Sequence, residues 1–218
     1  MNSFTEENYL KAIYHLSEGN NAVVSTNGIA EVTNTKAASV TDMLKKLADK
    51  KLINYIKYRG VTLTDTGLNA AVHIIRKHRL WEVFLVENLG FKWDEVHDIA
   101  EELEHINSTM LIDRLDDFLG KPAADPHGDP IPDRTGNFKH KKHVKVSDMK
   151  LGQAGTISGV NEHSSVFLKH LEKLGLTLGT KIMITELIEF DGSIMLSLDS
   201  KNERTISREV AKNILVII

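Results

Sequence analysis

A helical pattern opens at Thr64-Asp65-Thr66-Gly67 and runs to about Leu89, and it is too apolar for the small unit that precedes it. Ile74, Ile75, Leu80, Trp81, Val83, Phe84, Leu85 and Val86 crowd one stretch, and further helical patterns follow at about 93–106 and 108–119. Helices with surplus apolar surface must cover it, either in a larger core of the same chain or against a second copy.

The residues ahead of this run bear on that choice. Thr5 followed by Glu6 and Glu7 is expected to cap a helix carrying Tyr9, Leu10, Ile13, Tyr14 and Leu16, stopped near Gly19. A short second helix starts at Ser25 or Thr26 and includes Ile29 and Ala30. After the polar turn Thr33-Asn34-Thr35 comes a third, with Val40, Met43, Leu44, Leu47 and Leu52 toward a core and Lys36, Lys45 and Lys46 outward. Ile53 to Leu63 then reads as two β segments around a basic turn at Gly60. Three short helices and a basic hairpin are the order of a winged helix-turn-helix. Beside such a unit, the apolar surplus points to a homodimer, because two-fold proteins match palindromic operators.

All four prolines fall within 120–143, which is expected to be a connector. From Val144 the texture changes to short Gly-punctuated strands: Gly155–Ile157, Lys181–Ile184, Ser193–Leu198 and the C-terminus from Ile214. A helix at about 164–174 interrupts them, and the whole fits a small SH3-like β-barrel. The expected fold class is mainly α with a small β domain. Its expected parts are a winged helix-turn-helix over 1–66, a helical metal-binding and dimerisation domain over 67–143, and the SH3-like domain over 144–218.

The net charge of -3 conceals opposite poles. Residues 34–60 hold seven Lys or Arg against two acids, whereas 94–117 hold nine acids against one Arg. One stretch suits an anion and the other a cation, although ordinary solvated helix faces have the same appearance. With no cysteine, disulfide scaffolds, thiolate nucleophiles and sulfur-rich zinc sites are excluded. No apolar run approaches the roughly 20 residues of a membrane helix. The first residues lack a signal-peptide layout, so a cytoplasmic location is expected.

On the acidic stretch His97, Glu101, Glu104 and His105 stand at i, i+4, i+7 and i+8, one face of a helix. Two carboxylates and an imidazole at i, i+3 and i+4 can form half a cage for a divalent cation, and His78 and Glu82 form another i, i+4 pair. Taken alone, each group is more often a solvated surface, and only the coincidence of both shifts the balance toward metal.

Several blocks occur in order: Tyr9-Leu10 with Ile13-Tyr14, Ser39-Val40-Thr41, Leu63-Thr64 with Gly67, Lys77-His78-Arg79-Leu80 with Glu82, Val96-His97-Asp98 with Ala100-Glu101 and Glu104-His105, and Pro126-His127-Gly128 with Pro130-Ile131-Pro132. Together they resemble the diphtheria toxin repressor family of iron- and manganese-dependent repressors, in its longer form with a C-terminal SH3-like (FeoA-type) domain. The resemblance implies a transcriptional repressor rather than an enzyme, binding double-stranded operator DNA as a homodimer. Its implied cofactor is Mn2+, with Fe2+ as the alternative, two ions per subunit. The main site it implies takes Glu101, Glu104 and His105 with a first-helix residue, which here is Asn8 where relatives carry Asp or Met. Lys11 replaces a further acid of some manganese sensors. Glu101 stands where iron-type members carry Cys, which makes the site harder and favours Mn2+. A second site would take His78, Glu82 and His97, with Asp125 and His127 from the proline-rich loop and Glu162 or, preferred, His163 from the SH3-like domain.

For DNA, the start of the third helix is expected in the major groove, with Lys36, Ala38, Ser39, Thr41 and Asp42 as candidates to face bases. Lys45, Lys46, Lys57 and Arg59 are candidate phosphate contacts. Without the resemblance, a winged-helix regulator answering a small organic ligand is the alternative.

Overall fold

The computed structural model describes residues 2–17, 19–20, 22–56, 59–139, 142–199 and 202–218. Their contacts group into two compact units that interleave along the chain. The first comprises Met1–His78, Glu101–Asp113 and Pro132–Asn137, and the second Arg79–Ala100, Arg114–Ile131 and Phe138–Ile218.

The first unit begins with α1 (Phe4–Leu16), α2 (Thr26–Val32) and α3 (Ala37–Asp49). Ser3, and not the expected Thr5, caps α1: its hydroxyl accepts from the Glu6 N–H while the Glu6 carboxylate accepts from the Ser3 N–H. This reciprocal pair satisfies two amide donors that the helix itself cannot. Ser25 caps α2 with a single bond, its hydroxyl accepting from the Gly28 N–H, and each such cap contributes about 1 kcal/mol. Strands β1 (Ile53–Ile56) and β2 (Gly60–Leu63) pair antiparallel as the wing, and Val24 adds a bridge to Val61. Gly60 lies at φ +113°, and a Cβ there would stand 2.5 Å from the Val24 carbonyl oxygen. A glycine is therefore required where the wing passes that backbone. Leu10, Ile13, Ile29, Val40, Leu44, Leu47, Val61 and Leu63 form the core.

Helix α4 (Asp65–Leu89) is the long apolar run, and it contributes residues to both units. The next helix is shorter than expected: α5 spans His97–Leu103, not 93–106. A turn closed by Glu95 N–H on the Lys92 carbonyl occupies its expected start, and Glu104 and His105 lie past its end. Helix α6 (Thr109–Phe118) agrees with the pattern.

In the second unit Leu85, Val96 and Ala100 form a small core with Trp81, Val86 and Ile99 against it. Its larger core lies in a six-stranded antiparallel sheet of order β3-β8-β4-β5-β6-β7. The strands are β3 (Val144–Lys145), β4 (Ala154–Val160), β5 (Lys181–Leu187), β6 (Ile194–Leu198), β7 (Asn202–Ile206) and β8 (Ile214–Ile217). A 3-10 turn (Val146–Asp148), α7 (Ser165–Leu174) and α8 (Arg208–Lys212) complete it. This is the expected SH3-like part. Strand β7 and helix α8 add to it, short and polar elements whose periodicity is too weak to read. The proline-rich stretch is more than a connector, because Asp125, His127 and Ile131 are buried.

Candidate metal centres and nucleic-acid interface

In the first unit, α4 supplies His78 and the end of α5 supplies Glu101, with Glu104 and His105 just beyond. One donor atom from each of His78, Glu101 and Glu104 falls within 4.8 Å of the others. His78 Nδ1 lies 2.7 Å from Glu104 Oε2. Glu104 is fully buried; burial pushes its carboxyl up, but the His78 hydrogen bond and Lys11 more than offset this and hold it below the ordinary range. His105 Nδ1 donates to Glu7 Oε2 at 2.7 Å, and Phe4 stacks on the imidazole with centroids 4.6 Å apart.

The first-helix contribution differs from the expected one. Asn8 is exposed, while Glu7 is buried and holds His105. Successive helical residues are turned by about 100°, so only one of the two can share the face of Leu10 and Lys11. The missed signal is the i, i+4 pair Glu7 and Lys11. Lys11 Nζ donates to Glu101 Oε1 and reaches Glu104 Oε1 at 2.7 Å and Oε2 at 2.8 Å.

The second unit carries a separate cluster, in which donor atoms of Glu82, Asp125 and His127 lie within 4.8 Å of one another and all three residues are buried. His127 Nε2–H donates to the Trp93 carbonyl at 2.8 Å, so Nδ1 is the nitrogen turned to Glu82, 3.6 Å from Oε2. A ring N–H spent on a carbonyl is how ligating histidines are commonly oriented. Asp125 Oδ1 accepts from the His127 and Asp129 N–H groups at 2.8 and 3.0 Å, and Oδ2 lies 3.4 Å from Arg79 Nε. Burial, with Glu82 and Asp129 adding like charge, raises the Asp125 carboxyl. Burial lowers His127, but Glu82 and Asp125 more than reverse this and favour the imidazolium. Glu82, Asp125 and Asp129 thus stand against two cationic groups, the Arg79 guanidinium and the His127 imidazole.

The remaining members of the expected second site are placed differently from one another. His97 Nδ1 is 3.8 Å from Glu82 Oε1 and its side chain is 47% exposed. His163 stacks on His127 with centroids 4.8 Å apart, but its Nε2–H is directed at the Val160 carbonyl at 3.1 Å. Glu162 is exposed, and its carboxylate accepts from the Ser164 N–H. His78 stands one turn before Glu82 on α4, and its Nδ1 also lies 2.7 Å from Glu104 Oε2.

On α3, Lys36, Ala38, Ser39 and Asp42 are exposed and Thr41 is half-buried, opposite the buried Val40, Leu44 and Leu47. The Thr41 hydroxyl donates to the Ala37 carbonyl, and Asp42 pairs with Lys45 at 3.0 Å. Lys46 lies 3.2 Å from Glu6, which also binds Lys50 at 2.8 Å. Burial raises the Glu6 carboxyl, but the Lys50, Ser3 and Lys46 contacts lower it to about 2. Arg59 is exposed on the wing, while Lys57 lies outside the described residues. No helix among the described residues is long and apolar enough to cross a membrane.

Comparison with known proteins covers most of the chain. Residues 2–61 match the N-terminal DNA binding domain of the iron dependent repressors, 64–133 their metal binding and dimerisation domain, and 144–218 the FeoA domain. An uncharacterized HTH-type transcriptional regulator of Methanocaldococcus jannaschii is 38% identical over 115 residues, which are 53% of this chain and 92% of that protein. The HTH-type transcriptional regulator MntR of Oceanobacillus iheyensis is 34% identical over 148 residues, 67% of this chain and 93% of that one. A solved manganese-dependent transcriptional repressor in complex with manganese superposes with a TM-score of 0.87 at 35% identity, covering 97% of this chain and 99% of that chain.

Proposed function

Because the chain belongs to the iron-dependent repressor family of metal-dependent transcriptional repressors, we propose that it binds operator DNA as a homodimer when loaded with Mn2+, with Fe2+ the alternative ion. The observation that carries this reading is the first cluster: His78, Glu101 and Glu104 bring their donor atoms within 4.8 Å inside the unit that also holds the winged helix. The donors are oxygen and imidazole without sulfur, a set that suits Mn2+ and Fe2+. The cluster of Glu82, Asp125 and His127 has the same chemistry, which supports two ions per subunit.

A bound divalent cation would supply the positive charge that holds these carboxylates together. The chain's own residues do the rest. Glu7 and Lys11 join α1 to the 101–105 segment, and the Leu10 and Ile13 of α1 pack in one core with Val40 and Leu44 of α3. A change in how Glu101, Glu104 and His105 are held therefore reaches the recognition helix through close-packed side chains, which shift as blocks rather than deforming smoothly. Exposed Leu89 and Phe118, with Phe84 6.3 Å from the Phe118 ring, support a dimer contact on α4 and α6. Two recognition helices would then meet half-sites about 34 Å apart.

The reading is tested by selecting genomic fragments with the protein in Mn2+ and measuring their affinity with Mn2+, with Fe2+ under anaerobic conditions, and with chelator. Tighter binding with metal is expected. Equal affinity in all three conditions overturns it.

A further inference from the structure

The carboxylates that would hold a cation in the first cluster already hold one belonging to the chain. Lys11 Nζ touches Glu101 Oε1, Glu104 Oε1 and Glu104 Oε2. An ammonium has three N–H donors, and here three carboxylate oxygens meet them. The Lys11 side chain is 13% exposed, the Glu101 side chain 33% and the Glu104 side chain fully buried. This is therefore a largely desolvated pairing rather than a loose surface contact. A divalent ion coordinated by the same oxygens would be placed beside that ammonium, like charge against like, in a site with little water to screen them.

Resting on the reading of Glu101, Glu104 and His105 as a metal site, we infer that Lys11 is a tethered competitor for the cation position. It staples α1 to the 101–105 segment when metal is scarce, and divalent metal enters only as the ammonium withdraws. The flexible four-carbon stem and the part of it that reaches solvent make that withdrawal feasible without unfolding α1. The charge balance agrees: Glu101 and Glu104 with Lys11 carry a net single negative charge, and exchange of Lys11 for a divalent ion neutralises the pair. Competition by a group held in place lowers apparent metal affinity by the fraction of time the site is open. Lys11 thereby sets the concentration at which this cluster responds.

The test uses the full chain with Glu82→Gln and His127→Gln in every sample, so that titration reports the first cluster. Mn2+ affinity is measured by calorimetry with Lys11 present, and with Lys11→Met and Lys11→Gln. Both replacements remove the charge, and the second retains an amide donor should the first fold poorly. At least tenfold tighter Mn2+ binding without the lysine is expected. Equal or weaker binding overturns the competition while leaving the metal reading intact. Failure of all three proteins to bind Mn2+ overturns the metal reading and the inference with it. In the unsubstituted protein, Mn2+ should increase acylation of Lys11 severalfold, read by mass spectrometry at that residue, and an unchanged rate overturns the exchange.

Discussion

The two clusters of carboxylates and imidazole share one chemistry but are held in opposite ways. Around Glu104 the donors come from helices or their ends, and positive charge arrives on Lys11. Around Glu82 the donors Asp125 and His127 come from a loop without regular structure, pinned by backbone N–H groups, by Arg79 and by the Trp93 carbonyl. The first cluster can adjust because a long side chain occupies its centre. The second is held more by backbone, through the N–H groups on Asp125 and the Trp93 carbonyl on His127. The contrast suits a regulatory site on one hand and a preformed one on the other.

Gly128 offers the sharpest way to break the comparison. It lies at φ +91°, and a Cβ there would stand 2.1 Å from the Ser158 carbonyl oxygen. Gly128→Ala should cost about 3 kcal/mol or more, since both strain and a backbone clash must be relieved. Calorimetric titration should then show the second cluster's Mn2+ binding lost and the first cluster's kept. Loss at both would mean that the clusters are not independently built. Glu104→Gln is the reciprocal change: Mn2+ affinity at the first cluster should fall by about 100-fold, as for removal of a well-held ligand. Metal-dependent DNA binding should fall with it, leaving the second cluster titrating as before.

A change in the first unit but outside its cluster separates stability from metal response. Glu6→Gln removes the partner of Lys46 and Lys50 and should destabilise by about 2 kcal/mol at neutral pH, without moving Mn2+ affinity. The folded Glu6 carboxyl is lowered from 4.5 to about 2, so its contribution is present above pH 4.5 and lost as pH falls toward 2. Melting curves of the two proteins should therefore converge in acid. Convergence on raising the pH would contradict the assignment. The smallest effect is expected at His163, which stacks on His127 but directs its N–H to a carbonyl. His163→Ala should lose about 1 kcal/mol of stability and change second-cluster Mn2+ affinity by less than about threefold, below the tenfold or more expected of a group that orients a ligand. A tenfold loss would make His163 a ligand.

The sequence by itself determined the order of elements and the chemistry available to them. Apolar spacing placed α1 to α4 and α6, the Gly-punctuated strands announced the SH3-like part, and Glu101, Glu104, His105 and Glu82 stood out as candidate cation ligands, to which only the resemblance added Asp125 and His127. Periodicity does this well because it describes directions within one element. The tertiary structure alone decided which donors share a cluster. His97, Glu101, Glu104 and His105 lie on one face only if a single helix carries them all, and α5 ends at Leu103. Glu7 rather than the neighbouring Asn8 is buried against His105, because the face of α1 that bears Leu10 is the one turned inward. Lys11 could be read as a missing ligand but not as the occupant of the site, since its contacts with Glu101 and Glu104 join residues 90 and 93 positions apart in the chain. Spacing along a helix carries no information about contacts at that range, which are set by how the elements pack.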